Sequence, residues 1–418
     1  MSSGRAVDQF LRYSRFGQEL GINRQVIDDD EFHRDTMILR GREVANFGLC
    51  SYLGLGDDPR LIEAAIDATK RYGNSYSSSI AYSALPLYPM LRERLEAMLG
   101  APLAVAGSTT LAHMAALPVL VRTGDTVVID GLAHASLIGV IPSLQANGAT
   151  VHQLPHNDMQ RLDEIAREAP GRTWYLFDGL YSMRGVTAPA EELRDMVESH
   201  SNLWLYCDDA HSLGWSGLRG RGQFLDRFGW HERLVMAYGL AKSFGTMGGV
   251  VATPDRGLID VIELTGGPMV FGGPLPPATL GASIASADIH LSDELPELQD
   301  ELMERIRFVN AFSTQLGIPL AAHEDTPLFF AQIGALMTTI SAANSMLKKG
   351  FFLNPAAFPI VPRHQGGLRF TVTRYNSLSQ IEAMLTTLNE VRLAHEGPDA
   401  VIDLTAFEDE QAPSESSD

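Results

Sequence analysis

Two cysteines in 418 residues, Cys50 and Cys207, cannot build a disulfide framework, and neither sits in a metal-ligand spacing. A reducing compartment follows as the simpler expectation. Basic residues are also scarce, 32 Lys plus Arg against 51 Asp plus Glu, for a formal net charge of −19. Each cation set on a phosphate backbone would lie in a repulsive field, so no nucleic-acid partner is expected. No apolar run reaches the roughly 20 residues of a membrane-spanning helix. Met1 to Leu20 interrupts its apolar residues with Arg5, Asp8, Arg12, Arg15 and Glu19, unlike the core of a secretory signal. A cytoplasmic location is expected.

What the chain does have is 45% hydrophobic residues with only 20% charged, which excludes a largely disordered protein. At roughly 150 residues per domain, its length suits two or three domains with a sizeable core. Helical spacing runs over Leu61–Tyr72 and Leu87–Leu99. Short runs rich in β-branched and aromatic residues follow, at Thr126–Asp130, Thr173–Asp178, Leu203–Asp208, Leu234–Tyr238 and Gly249–Thr253. Their alternation with helical stretches predicts an α/β fold, a mostly parallel sheet with helices on both faces and ligands at the carboxyl ends of the strands. Past Gly273–Pro277 come helix-like segments, Ala278–Ser292, Glu294–Gln315 and then Pro319–Gly334, before a late strand at Gly367–Thr373. The expected division is an amino-terminal arm over 1–45, a large domain over 46–291, a smaller carboxyl-terminal α/β domain over 292–395, and an acidic disordered tail over 396–418.

Lys242 stands between a strand and the Gly-rich turn Ser243-Phe244-Gly245-Thr246-Met247-Gly248-Gly249. Alone it would be an ordinary solvated loop residue. The preceding strand, however, ends in Asp208-Asp209-Ala210-His211-Ser212, and carboxylates after so apolar a strand are costly unless paired. An acid at one strand end and an amine at the next suit pyridoxal phosphate, which takes a lysine at its aldehyde and an aspartate at its pyridine nitrogen. Metal binding by Asp208, Asp209 and His211 leaves Lys242 without a task, so no metal is expected. His134 follows the strand Val127–Asp130, placed to stack on a pyridine face or to serve as a polar loop histidine. Gly107-Ser108-Thr109-Thr110 opens the helical stretch Leu111–Val121, an ordinary N-cap that also offers donors to a phosphate.

These residues together resemble the α-oxoamine synthase family of fold type I pyridoxal-phosphate enzymes over about Asn46–Leu393. The likeness rests on Tyr52-Leu53-Gly54-Leu55, His134-Ala135-Ser136-Leu137, His156-Asn157-Asp158, Tyr181-Ser182-Met183, Asp208-Asp209-Ala210-His211-Ser212, Lys242, Gly248-Gly249, Leu275-Pro276-Pro277 and Leu368-Arg369. The resemblance implies a homodimer that joins an amino acid to an acyl thioester, carried by CoA or an acyl carrier protein, with loss of carbon dioxide to give an α-amino ketone. It implies Lys242 as the Schiff-base lysine and proton shuttle, Asp208 under the pyridine nitrogen, and His134 stacked on the ring. His211 and Ser182 would bond the cofactor's phenolic oxygen, Gly107, Ser108 and Thr109 its phosphate, and Arg369 the amino-acid carboxylate, which a planar guanidinium meets bidentately.

This chain departs from the family pattern at several positions. Asp209 replaces a glutamate, Gly239 a phosphate-binding threonine, and Gly272-Gly273 a Ser-Thr pair offered to the neighbouring subunit. Leu49-Cys50-Ser51 replaces Ser-Asn-Asp, and Ser77-Ser78-Ser79-Ile80 a Gly-rich segment. Ser108, Thr109 and Ser243 are candidates to make up the lost phosphate donors. Two other functions share these residues: an aminotransferase of the same fold, and a catalytically degenerate binding or scaffold homologue.

Overall fold

The computed structural model describes residues 3–358, 361–362, 364–396, 402 and 404, so most of the expected tail over 396–418 lies outside the described residues. The chain divides into two compact units. One comprises residues 53–182 and 186–300, the other residues 1–52, 183–185 and 301–418.

The first unit is built on a seven-stranded sheet in the order Leu103–Ala106, Gly249–Ala252, Leu234–Gly239, Leu203–Asp208, Thr173–Asp178, Thr126–Asp130, Thr150–Leu154. Gly249–Ala252 pairs antiparallel with both neighbours and the other pairs are parallel, so six strands run one way. Their residues alternate between two cores: Trp174 and Leu176 pack into one, Tyr175 and Phe177 into the other. Burial on both faces is why these strands read as unbroken apolar runs rather than alternating ones. Two strands escape the sequence signal. Leu103–Ala106 has only four residues, two of them Ala, and Thr150–Leu154 is a half-exposed edge with polar His152 and Gln153. The helix Thr109–Leu120, which carries Pro118 inside it, packs Ala112, Ala116 and Leu117 into the same core as Trp174 and Leu176.

The second unit holds the helix Ser3–Glu19, a small sheet of Thr36–Leu39, Arg42–Asn46 and Phe351–Phe352, and an antiparallel sheet with Gly366–Thr371 at its centre. The flanking strands are Leu328–Gly334 and Asn354–Ala356. Pro319–Gly334 therefore is not helical: Phe329 and Phe330 need the pleated surface, and Phe329 stacks on Phe370 across the strands with ring centroids 5.2 Å apart.

Candidate active site

Three neighbouring strands each end on an aspartate, Asp130, Asp178 and Asp208. Asp130 is fully committed to structure. Its oxygens accept from the amides of Leu132 at 2.8 Å and Asn157 at 2.9 Å and from the Tyr175 hydroxyl at 3.1 Å, with His156 Nδ1 at 3.2 Å. That pins the loop leading to His134.

Asp178 and Asp208 are register partners across parallel strands, both buried. Asp208 Oδ1 accepts from the Ala210 amide at 3.1 Å, and Oδ2 lies 2.9 Å from His113 Nε2. Burial alone would raise the Asp208 carboxyl. The His113 imidazole, the Lys242 ammonium and the Ala210 amide outweigh it and hold the group below the ordinary carboxylate range. Asp178 moves the other way, since burial and the Asp208 charge push it well above its usual value while the His134 amide, 3.0 Å from Oδ1, opposes them only partly. Two adjacent acids are thus shifted in opposite directions.

Lys242 sits in the turn joining Leu234–Gly239 to the reversed strand Gly249–Ala252. The turn is closed by the Gly245 amide donating to Lys242 O at 3.0 Å and the Leu240 amide donating to Gly248 O at 3.0 Å. Only glycine fits at 249, because a Cβ there would stand 2.3 Å from Ser108 C and O. The same close approach brings the start of the Thr109–Leu120 helix to the lysine turn. Amides of a helix's first turn lack intrahelical acceptors and carry the positive end of the macrodipole, a built-in seat for an anion.

A cavity of about 190 Å³ is lined by Ser108, Thr109, His134, Asp208, His211 and Lys242, six of the sequence-designated residues. Gly107 precedes that set directly in the chain, and Ser182 is not among the lining residues. His134 is exposed there. Its Nδ1 faces the Ser136 hydroxyl at 2.7 Å and accepts from the Ser136 amide at 3.3 Å, which places the ring proton on Nε2. Desolvation by the surrounding protein, partly offset by the Asp208 charge, lowers its pKa. His211 is buried, and its carbonyl accepts from Trp215 Nε1 at 2.6 Å.

Of the three hydroxyls expected to replace lost phosphate donors, Ser108 and Thr109 line the cavity and the buried Ser243, set against Gly214, does not. The Ser108 hydroxyl caps the helix, accepting from the Leu111 amide at 3.2 Å, and the Thr109 hydroxyl donates to Tyr238 O at 3.4 Å. A Cβ on Gly239 would meet Thr109 Oγ1 at 2.7 Å, so a residue larger than glycine at 239 and the threonine at 109 compete for one space.

Arg369 belongs to the other unit, on the central strand Gly366–Thr371 opposite Phe330 and Asn354. It is buried, and its Nη2 donates to Cys50 Sγ at 3.3 Å. The Thr371 amide donates to Phe47 O at 2.8 Å, holding the Cys50 segment along this strand.

Sequence inspection missed Asp178 and His113. Asp178 carried the same signal as Asp208, an acid closing a wholly apolar strand. His113 carried none, since a histidine on a helix looks alike whether it faces solvent or a carboxylate.

An ionised aspartate, the anion seat at the start of the Thr109–Leu120 helix and a lysine, all lining one cavity, fit pyridoxal 5′-phosphate. Such residues on this sheet define a fold type I pyridoxal-phosphate enzyme. The model of the aminotransferase class I and II family matches residues 42–384, and the chain belongs to that family. Within it the chain is an α-oxoamine synthase, catalysing pyridoxal-phosphate-dependent decarboxylative condensation of an amino acid with an acyl thioester. It is 32% identical over 380 residues to the 8-amino-7-oxononanoate synthase of Symbiobacterium thermophilum, spanning 90% of this chain and 95% of that one. The enzyme of the same description from Maricaulis maris is 32% identical over 359 residues, 84% of this chain and 87% of that one. A solved serine palmitoyltransferase from S. paucimobilis shares the fold with a TM-score of 0.85 at 20% identity, over 94% of this chain and 99% of that chain. The 8-amino-7-oxononanoate synthase from Francisella tularensis gives 0.72 at 20% identity over 84% and 99%. No described helix is long and apolar enough to cross a membrane.

Proposed function

We propose that Lys242 holds the cofactor and shuttles the α-proton of the amino acid, that Asp208 keeps the pyridine nitrogen protonated, and that Arg369 binds the amino-acid carboxylate. When bound, pyridoxal 5′-phosphate supplies an electron sink for the negative charge that develops at the α-carbon. The single observation carrying this assignment is that Asp208, held by His113 Nε2 at 2.9 Å and the Ala210 amide at 3.1 Å, lines the same cavity as Lys242 and the start of the Thr109–Leu120 helix. Lys242 Nζ removes the α-proton and later returns it. His134 would cover the face of the bound heterocycle and orient the substrate, while His211 and Ser182 would bond its phenolic oxygen. The first-turn amides after Gly107 and Ser108, with the Thr109 hydroxyl, hold the phosphate. The acyl thioester reacts on the open side of the cavity, its thiol leaves, and carbon dioxide is lost from the resulting β-keto acid.

The enzyme acts as a homodimer in the cytoplasm. Supporting the dimer, Tyr82 and Phe271 on the sheet unit are 96% and 85% exposed in the single chain, a poor state for large aromatics in water. Supporting the compartment, Cys50 and Cys207 are free thiols.

The test is borohydride treatment of reconstituted protein followed by peptide mass analysis. A reduced cofactor adduct on Lys242, lost in Lys242→Ala, is expected; protein that stays unlabelled after reconstitution sinks the assignment. A panel of amino acids with acyl-CoA or acyl carrier protein then identifies the donor by free thiol release. A keto-acid product without thiol release would instead indicate transamination.

A further inference from the structure

We infer that His113 is a positioning residue which, locked by Tyr206, fixes the orientation in which Asp208 presents its carboxylate to the cofactor ring; the inference rests on the role assigned to Asp208 above. His113 lies on the inner face of the Thr109–Leu120 helix and is completely buried, as is Tyr206. Its two ring nitrogens are both engaged: Nε2 is 2.9 Å from Asp208 Oδ2 and Nδ1 is 3.0 Å from the Tyr206 hydroxyl. Tyr206 and Asp208 are two residues apart on one strand, so their side chains share a face and span the imidazole from either end.

The proton positions follow from the partners. An ionised Asp208 only accepts, so Nε2 carries a proton. Tyr206 keeps its own proton, because burial and the nearby Asp208 charge push its hydroxyl well above its usual value. The Tyr206 hydroxyl, able to donate to Nδ1 or to accept from it, holds the other end of the ring. His113 and the Ala210 amide take one lone pair on each Asp208 oxygen, which fixes the carboxylate plane and leaves the remaining lone pairs for a single further donor. The other titratable groups acting here are Lys242 and Asp178 on Asp208, and His134 near His113.

The experiment compares wild-type holoprotein with His113→Leu, His113→Asn and Tyr206→Phe, after wild type has shown a visible cofactor band that borohydride removes. Loss of the Nε2 donor leaves Asp208 a stronger base, so the ring proton is held less firmly by the heterocycle. In His113→Leu the pH midpoint of the visible band should rise by about one unit, with kcat down about 10- to 100-fold and the amino-acid KM little changed. His113→Asn, which retains a donor, should recover most of both. Tyr206→Phe should move the midpoint by a smaller amount while the protein stays folded. Should His113→Leu fail to fold, the asparagine and phenylalanine variants still decide the matter. A midpoint unmoved in Tyr206→Phe and in every folded His113 variant, with only the melting temperature lowered, overturns the inference and makes the trio structural. Absence of any trappable band in wild type would instead discredit the Lys242 assignment and not this one.

Discussion

The two ends of the cavity obey different rules. At the pyridine end, Asp208, His113, Tyr206 and Asp178 are all buried and each polar atom named above has an assigned partner. At the phosphate end stand a helix start, a threonine and glycines at 239, 249 and 273. The contrast tracks the cost of burying charge. A buried carboxylate tolerates no missing partner, because an unpaired ion away from water loses several kcal/mol. A dianion gripped chiefly by backbone amides leaves the side chains around it exchangeable. On the proposed assignment, the departures at 239, 272 and 273 fall where backbone amides would carry the grip.

Breaking the buried end should have the largest effect. Asp208→Ala is predicted to lose turnover altogether, measured as thiol release, even where the cofactor still attaches to Lys242; full activity in that variant would refute the assignment. The next largest effect belongs to the backbone contact joining the ends. Gly249→Ala forces a methyl to within 2.3 Å of the Ser108 carbonyl. It should cost about 1–3 kcal/mol by overpacking, read in denaturant unfolding, and weaken cofactor binding as well.

The exchange at the phosphate end gives a reciprocal test. Thr109→Ala should weaken cofactor affinity about tenfold, the scale of one hydrogen bond to a charged group. Gly239→Thr alone should be worse than wild type because it meets Thr109 Oγ1, and Thr109→Gly combined with Gly239→Thr should recover the affinity. Ser108→Ala behaves differently, costing about 1 kcal/mol of stability as a lost cap. If the double variant binds no better than Gly239→Thr, the two positions do not share one space.

A smaller, pH-dependent difference separates Asp209 from its neighbour. Burial, with the Asp208 charge adding to it and the Ser212 hydroxyl opposing, pushes Asp209 up to about 7. A raised carboxyl pKa means the folded state binds a proton that the unfolded state has released, so stability falls as pH rises from about 4 to about 7 and is flat above. Asp209→Asn, which cannot titrate, should gain on wild type across that window by roughly 1.4 kcal/mol per unit. His290 has the opposite sign. Buried and lowered to about 4, it contributes stability present above its unfolded value and lost as pH falls below about 6.5. Unfolding curves of Asp209→Asn that run parallel to wild type from pH 4 to 7 would contradict the buried neutral acid.

Much of this was visible beforehand in the chain itself. The helix Leu87–Leu99 and the strands Thr126–Asp130, Thr173–Asp178 and Leu203–Asp208 begin and end where their residue patterns place them, because full burial selects apolar β-branched and aromatic runs. Lys242 and Asp208 were legible for a related reason: a charged group at the end of such a run is conspicuous. Leu103–Ala106, the strand over Leu328–Gly334 and the partnership of His113 were not, since short strands, aromatic segments and helical histidines carry no local signature of what they meet.

What the amino-acid order determined was the alternating architecture and the list of groups able to do chemistry, since desolvation acts on each segment by itself. Which of two neighbouring aspartates is pushed up and which is held low, and that the Thr109 side chain occupies the space beside Gly239, was decided only when strands from distant parts of the chain came within a few ångströms. Electrostatic and steric terms at that range depend on distance in space, and spacing along the backbone does not encode it.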